Sequence, residues 1–174
     1  QVTEIINKIC NAKRPVLNVG NGIHIANCLP LMRKVAKKLN IPVAVAYDST
    51  DLMPTEDPLY VGQPGLLGDR AGNWAVQNAD LVLSVGCRLS CRQVGYNVHS
   101  WAREAFVIMV DIDPYELQKP SIHVEMPVHA DAKDFLKKMD SALEQPLPKH
   151  TEWLEICQGW KKKYPVVTER HYNN

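Results

Sequence analysis

The sequence predicts an α/β protein built on a doubly wound parallel sheet of five or six strands. Three observations carry that prediction. Short apolar runs end on turn residues: Val16–Val19 on Gly20-Asn21-Gly22, Leu81–Val85 on Gly86-Cys87-Arg88, and Val107–Ile112 on Asp113-Pro114. Runs of this length suit strands buried on both faces. Between them apolar residues recur at helical spacing, so strands and helices alternate. The run ends also share glycine, arginine and aspartate. In a parallel sheet the ligand crevice lies beyond the carboxyl ends of the strands, where these residues suit close backbone approach, phosphate and ribose.

The elements follow in order. Ile5, Ile6 and Ile9 recur as one face of a short first helix. Val16–Val19 is the first strand. Leu31, Met32, Val35, Ala36 and Leu39 then form one face of an amphipathic helix, and Pro42–Ala46 is the next strand, completing a β-α-β unit over residues 15–46. Asp48–Pro58, rich in Asp, Thr and Pro, reads as a loop, and Leu59-Tyr60-Val61 as a short strand. A glycine-rich loop over Gly65–Gly72 leads to a helix over Asn73–Asn78 and the strand Leu81–Val85. Val98–Glu104 reads as helical before the strand Val107–Ile112, and Ile122–Met126 as a further, edge strand. Asp131 is placed to cap a helix whose inner face carries Phe135, Leu136, Met139 and Leu143. Gln145-Pro146-Leu147-Pro148 breaks that helix and reads as a linker. Beyond it, Trp153, Ile156, Cys157 and Trp160 are expected to share one helical face, either docked on this domain or leading toward another. The division expected is therefore 1–144 for the nucleotide-binding-like domain and 145–174 for linker and helix.

A chain of 174 residues can bury roughly 70% of its unfolded surface. A net charge of +1, with no basic run, gives no electrostatic case for nucleic acid. No apolar stretch approaches the roughly 18 residues of a membrane span, and no signal peptide is visible. Five cysteines, an odd count without a Cys-x-x-Cys pair, point to reduced thiols and a cytoplasmic location. Cys87 and Cys91 lack the paired histidines of a zinc site, so no metal is expected. The chain starts at Gln1 directly in a helical pattern and ends in a polar tail, His171-Tyr172-Asn173-Asn174, so both ends read as cut from something longer.

Several residues could carry chemistry. Gly20-Asn21-Gly22 stands between strand and helix, as a phosphate-binding turn does, although Ile25 occupies the third glycine position of a dinucleotide fingerprint. A tight turn without a ligand reads equally well. Arg88 and Arg92 lie just beyond the strand that ends at Gly86, where arginine suits bidentate phosphate contacts or a salt bridge. Asp111 and Asp113 end a strand, where a carboxylate accepts from a ribose. The six histidines are scattered, and none sits in a nucleophile or metal pattern.

The run Ala75–Gly86 with Arg88, the Asp111–Pro114 end, Arg14-Pro15-Val16-Leu17, Gly20-Asn21-Gly22, Ile41-Pro42-Val43 and His129-Ala130-Asp131-Ala132 together resemble one family. It is the central domain of thiamine-diphosphate-dependent enzymes, with acetolactate (acetohydroxyacid) synthase large subunits the nearest members. The resemblance extends from about Ile5 to Leu143. It implies a Rossmann-like, deoxyhypusine-synthase-like NAD/FAD-binding fold, set between two thiamine-binding domains of the same polypeptide in a homo-oligomer. Thiamine diphosphate and magnesium would be held by those other domains. It also implies an FAD or ADP site in which Gly65 and Gly68 form a Gly-x-x-Gly loop, and Asp111-Ile112 and Asp131-Ala132 flank the adenosine half. Leu67 replaces a histidine that faces the flavin in those enzymes, and Ser90 and Cys91 replace two acids before Arg92, which argues against FAD. Gly68-Asp69-Arg70 resembles the start of the magnesium-diphosphate motif but fails at its third residue. Two alternatives remain. One is a free-standing NAD-dependent or sirtuin-like enzyme, which should carry zinc-binding Cys-x-x-Cys pairs; the other is a structural domain with a decayed nucleotide pocket.

Overall fold

Six strands, β1 (Pro15–Val19), β2 (Val43–Val45), β3 (Tyr60–Gly62), β4 (Leu81–Val85), β5 (Phe106–Asp111) and β6 (Met126–His129), form one sheet in the order β3-β2-β1-β4-β5-β6. Every pairing is parallel. The structure, a computed structural model, describes residues 1–148 and 150–172. Lys149 and, from the expected polar tail, Asn173 and Asn174 lie outside the described residues. Strand order reverses between β1 and β4, so the sheet opens a crevice beyond Val19 and Val85. The α/β class and the parallel sheet match the sequence reading.

The strands alternate strictly, and each face has its own core. Leu17, Val19, Leu83, Val85, Ile108 and Val110 face α1 (Val2–Asn11), α3 (Leu29–Leu39) and α7 (Ala132–Ala142). Val16, Val82, Val107 and Met109 face α4 (Arg70–Gln77) and α8 (Thr151–Lys163). Burial of each large aliphatic side chain contributes about 1.5–3 kcal/mol.

Two turns at the centre are packed backbone on backbone. A Cβ on Gly22 would lie 2.6 Å from Gly86 Cα, and one on Gly20 2.7 Å from the Gly86 carbonyl oxygen. Gly86 itself has φ +60°, a conformation that favours glycine. Gly20 N–H donates to Val85 O at 3.2 Å, Gly22 N–H to Gly86 O at 2.8 Å, and Gly86 N–H to Val110 O at 3.0 Å. This seam locks the ends of β1, β4 and β5 together.

The structure corrects several boundaries. Helix α4 begins at Arg70 rather than Asn73, because the Asp69 carboxylate accepts from Gly72 N–H at 2.6 Å and caps it. Val98–Glu104 is not a helix: a 3-10 turn covers Val98–Ser100, and Ala102 then takes φ +44° with its N–H donating to Gln77 Oε1. The edge strand runs over Met126–His129 rather than Ile122–Met126, with Ile122 and Val124 packed against the second core instead. Pro127 is tolerated there because β6 is an edge. The one-turn helices α2 (Gly22–Ile25), α5 (Cys91–Val94) and α6 (Pro114–Gln118) sit just beyond β1, β4 and β5.

Helix α8 docks on this domain. Trp153 is buried with its Nε1–H donating to Pro15 O at 3.1 Å, and Gln158 donates to Pro58 O and Tyr60 O. Trp74, Trp153, Trp160 and Tyr164 form a chain of edge-to-face contacts with centroids 5.1–5.7 Å apart. Ile156 does not share that face; it is 42% exposed.

Two stability measurements check this packing. Gly22→Ala should destabilise the fold by about 1–3 kcal/mol in urea unfolding, because backbone must move to admit the methyl. Gly159→Ala, in α8 with nothing within 4 Å of the new Cβ, should instead stabilise it by about 1 kcal/mol. Equal shifts in the two variants would contradict the seam. Trp153→Ala should cost about 3–5 kcal/mol by the same assay, whereas a loss under 1 kcal/mol would mean that α8 is not docked in solution.

Candidate functional site

The carboxyl ends of β1, β4 and β5 converge on a crevice of about 680 Å³. Eleven of the residues singled out in the sequence line it: Gly20, Asn21 and Gly22 after β1; Gly86, Arg88 and Arg92 after β4; Asp111, Ile112 and Asp113 at and just beyond the end of β5; Asp131 and Ala132 before α7. Gly65 and Gly68 do not. They line an adjoining hollow of about 320 Å³ that shares Tyr47 and Arg92 with the crevice. There Gly65 N–H donates to Asn73 Oδ1 at 2.9 Å, and a Cβ on Gly65 would meet the Arg92 carbonyl oxygen at 2.5 Å. The Gly-x-x-Gly loop is therefore a wall between the hollow and α5.

The β1–α2 turn offers little to an anion. Gly22 N–H is bonded to Gly86 O and Ile23 N–H to Gly20 O, and α2 is a single turn. Its glycines serve the approach of the β4–α5 turn.

Arg88 lies at the mouth, with Nε donating to Glu116 Oε1 at 2.7 Å and the guanidinium also bridging to that oxygen through a second nitrogen. Lys119 Nζ donates to Glu116 Oε2 at 3.0 Å and to the carbonyls of Arg88 and Leu89. Burial pushes the Glu116 carboxyl up, but the hydrogen bonds from Lys119 and Arg88 outweigh it and hold the group below its ordinary range. Arg88 is correspondingly raised, first by its hydrogen bond to Glu116. Arg92 has no salt-bridge partner among the described residues, and its guanidinium lies 5.8 Å from the Tyr47 ring.

The acids of the site also shape the backbone. Asp111, 8% exposed, accepts from Asp113 N–H at 2.9 Å through one oxygen. Asp113 caps α6 by accepting from Tyr115 N–H, and Asp131 caps α7 by accepting from Lys133 and Asp134 N–H. With Asp48 and Glu116, five carboxylates line the crevice against the two guanidiniums of Arg88 and Arg92.

Beneath the crevice runs a buried polar chain. Ser84 Oγ accepts from Asn18 Nδ2 at 3.1 Å, Asn18 Oδ1 from Gln93 Nε2 at 2.6 Å, and Gln93 Oε1 from Cys87 Sγ–H at 2.8 Å. It ties α5 to the two central strands. Burial pushes the Cys87 thiol up to about 11, so it stays protonated and serves as a donor rather than a nucleophile. Sequence reasoning missed Gln93 and Tyr47. A polar Asn18 inside an apolar strand was the available signal, since a buried amide demands a partner. Glu116 was also missed, although Asp113-Pro114 is a helix start that would have placed it on a first turn facing Arg88.

Asp69 is fully engaged in structure: one oxygen accepts from Gly72 N–H and the other from Gln63 N–H at 2.7 Å. Gly68-Asp69-Arg70 is a helix cap. No group of three or more His, Cys, Asp or Glu side chains among the described residues is arranged to hold a metal ion.

Comparison with known proteins agrees with this architecture. Residues 2–139 match the family described as thiamine pyrophosphate enzyme, central domain. The chain is 32% identical to the acetolactate synthase large subunit of Haemophilus influenzae, an alignment covering 98% of this chain and 30% of that protein. It is 30% identical to the "Probable acetolactate synthase large subunit" of Methanococcus aeolicus, over 96% of this chain and 29% of that one. For acetolactate synthase isozyme 2 large subunit of Escherichia coli the identity is 29%, over 95% and 30%. The chain thus spans under a third of the length of these relatives. With six parallel strands, a Rossmann-like order and a match across residues 2–139, the chain belongs to the family of thiamine pyrophosphate enzyme central domains.

Proposed function

We propose that this domain serves a thiamine-diphosphate-dependent 2-oxo acid decarboxylase or carboligase similar to acetolactate synthase, holding flanking thiamine-binding domains in register and binding an adenine nucleotide in its crevice. The parent reaction would be decarboxylation of a 2-oxo acid and transfer of the acyl fragment, with thiamine diphosphate supplying the electron sink. A homo-oligomer in the cytoplasm belongs to the same reading. No helix among the described residues is long and apolar enough to cross a membrane.

The observation that carries the nucleotide reading is the convergence of the β1, β4 and β5 ends on one crevice, with Asp111 at the end of β5 and Arg92 free of a salt-bridge partner among the described residues. ADP fits this set better than FAD. Leu67, 75% exposed, puts an apolar side chain beside the hollow, and that hollow adjoins the crevice only through Tyr47 and Arg92. The excess of carboxylates and the Glu116 clamp on Arg88 both weaken binding of phosphates. A second reading, a structural domain without a ligand, is favoured by one observation: Gly22 N–H and the Arg88 guanidinium already have protein partners.

Titration calorimetry separates these. ADP should bind weakly, FAD more weakly still, and Arg92→Gln should lower ADP affinity about tenfold. Absence of any ADP heat selects the structural reading, and tight FAD binding with a bound-flavin spectrum overturns the argument from Leu67. The 174-residue chain should also be silent in a pyruvate decarboxylation assay with thiamine diphosphate and magnesium in excess. Turnover above the no-protein control that is lost in Asp69→Ala would place an active site within it.

A further inference from the structure

The polar groups of the crevice sort by what they can give a ligand. Asp48, Asp111, Asp113, Glu116 and Asp131 are carboxylates, and Arg88 and Arg92 are the only cations of the lining. An ionised carboxylate only accepts hydrogen bonds, and so does an ionised phosphate. Phosphate binding draws instead on free N–H groups at turns and helix starts, or on cations. Most of those donors are taken here. Gly20, Gly22 and Ile23 N–H all have backbone partners. The starts of α6 and α7 are filled by the chain's own acids: Asp113 accepts from Tyr115 N–H, and Asp131 from Lys133 and Asp134 N–H. Arg88 is held by Glu116, which leaves Arg92 as the one guanidinium of the lining without a salt-bridge partner among the described residues. The acceptor side is less committed. Asp111 is nearly buried, and among the described residues a single hydrogen bond, from Asp113 N–H, reaches its carboxylate. Its other oxygen calls for a donor, which a hydroxyl supplies and a phosphate does not. Ile25 beyond β1 and Ile112 beyond β5 also line the crevice, and both are exposed, so an apolar ring that covers them is stabilised.

We infer that the crevice selects an adenine nucleoside carrying no more than one phosphate, with the ribose diol donating to Asp111 and the base covering Ile25 and Ile112. The inference rests on the reading of this crevice as a nucleotide site and narrows its ligand. A single phosphate meets Arg92. Each further phosphate adds negative charge beside five carboxylates, and Glu116 keeps the second guanidinium from answering it. One added like charge at about 4 Å lowers affinity roughly fivefold even in a fully hydrated site. Glu116 is thereby the residue that sets how many phosphates the crevice accepts.

The test is calorimetry on the 174-residue chain with adenosine, AMP, ADP and 2′,3′-dideoxyadenosine, at low and at high salt. Adenosine and AMP should bind alike, and ADP about fivefold more weakly at low salt. That difference should narrow as salt screens the carboxylates. The dideoxy analogue, which lacks the diol, should bind about tenfold more weakly than adenosine. Glu116→Gln removes one carboxylate and releases Arg88, so it should raise ADP affinity about tenfold. Tighter binding of ADP than of adenosine, with an affinity that falls as salt rises, would overturn the inference and leave the nucleotide reading standing. Full affinity for the dideoxy analogue, or no gain for ADP in Glu116→Gln, would overturn it as well. Binding of none of the four ligands would overturn the inference and the nucleotide reading together.

Discussion

The contact on which the rest of the molecule depends is the glycine seam between the turns that follow β1 and β4. The central pair of a doubly wound sheet must diverge at its carboxyl end to leave a crevice, yet the strands must stay hydrogen-bonded up to that point. Gly20, Gly22 and Gly86 meet both demands by letting two backbones touch where side chains would force them apart. The same contact commits Gly22 N–H to Gly86 O. Fixing the crevice therefore removes a donor that a dinucleotide fold would leave for phosphate.

That trade recurs in the charged groups around the crevice. Asp111, Asp113 and Asp131 sit where a ribose could be met, and each already bonds a backbone N–H at a turn or helix start. Arg88 lies at the mouth of the crevice and is clamped by Glu116, itself held by Lys119. A nucleotide bound here would compete with the fold for the same atoms. Arg92, lying against Tyr47, is the group left available. Below them the Ser84-Asn18-Gln93-Cys87 chain satisfies every buried amide it contains, which fixes α5 and with it the position of Arg92.

Much of this was legible in the sequence because apolar runs and glycine turns act locally. Val16–Val19, Leu81–Val85 and Val107–Ile112 read as buried strands, and they are the core of the sheet except for Ile112, which lies beyond β5 and is 64% exposed. Of the candidate site residues picked from strand ends and resemblance, all but Gly65 and Gly68 line one crevice, since strand ends of a parallel sheet are forced together by topology. What was not legible depended on long-range partners. The left-handed Ala102 that ends the Val98 turn is held from Gln77, and β6 gains its register only against β5. Gly65 and Gly68 read as ligand-facing from their motif, and their place behind α5 follows from contacts with Asn73 and Arg92 that no local pattern encodes.

The crevice beyond β1, β4 and β5, lined by Arg92 and Asp111, is the nucleotide site we propose. Amide chemical-shift mapping during an ADP titration tests it most directly. Shifts are expected to group at Gly20–Gly22, Gly86–Gln93, Asp111–Asp113 and Asp131–Ala132, with the first turn of α4 unshifted. Shifts confined to α4 and the residues after α8, or none at all at saturating ADP, would contradict it.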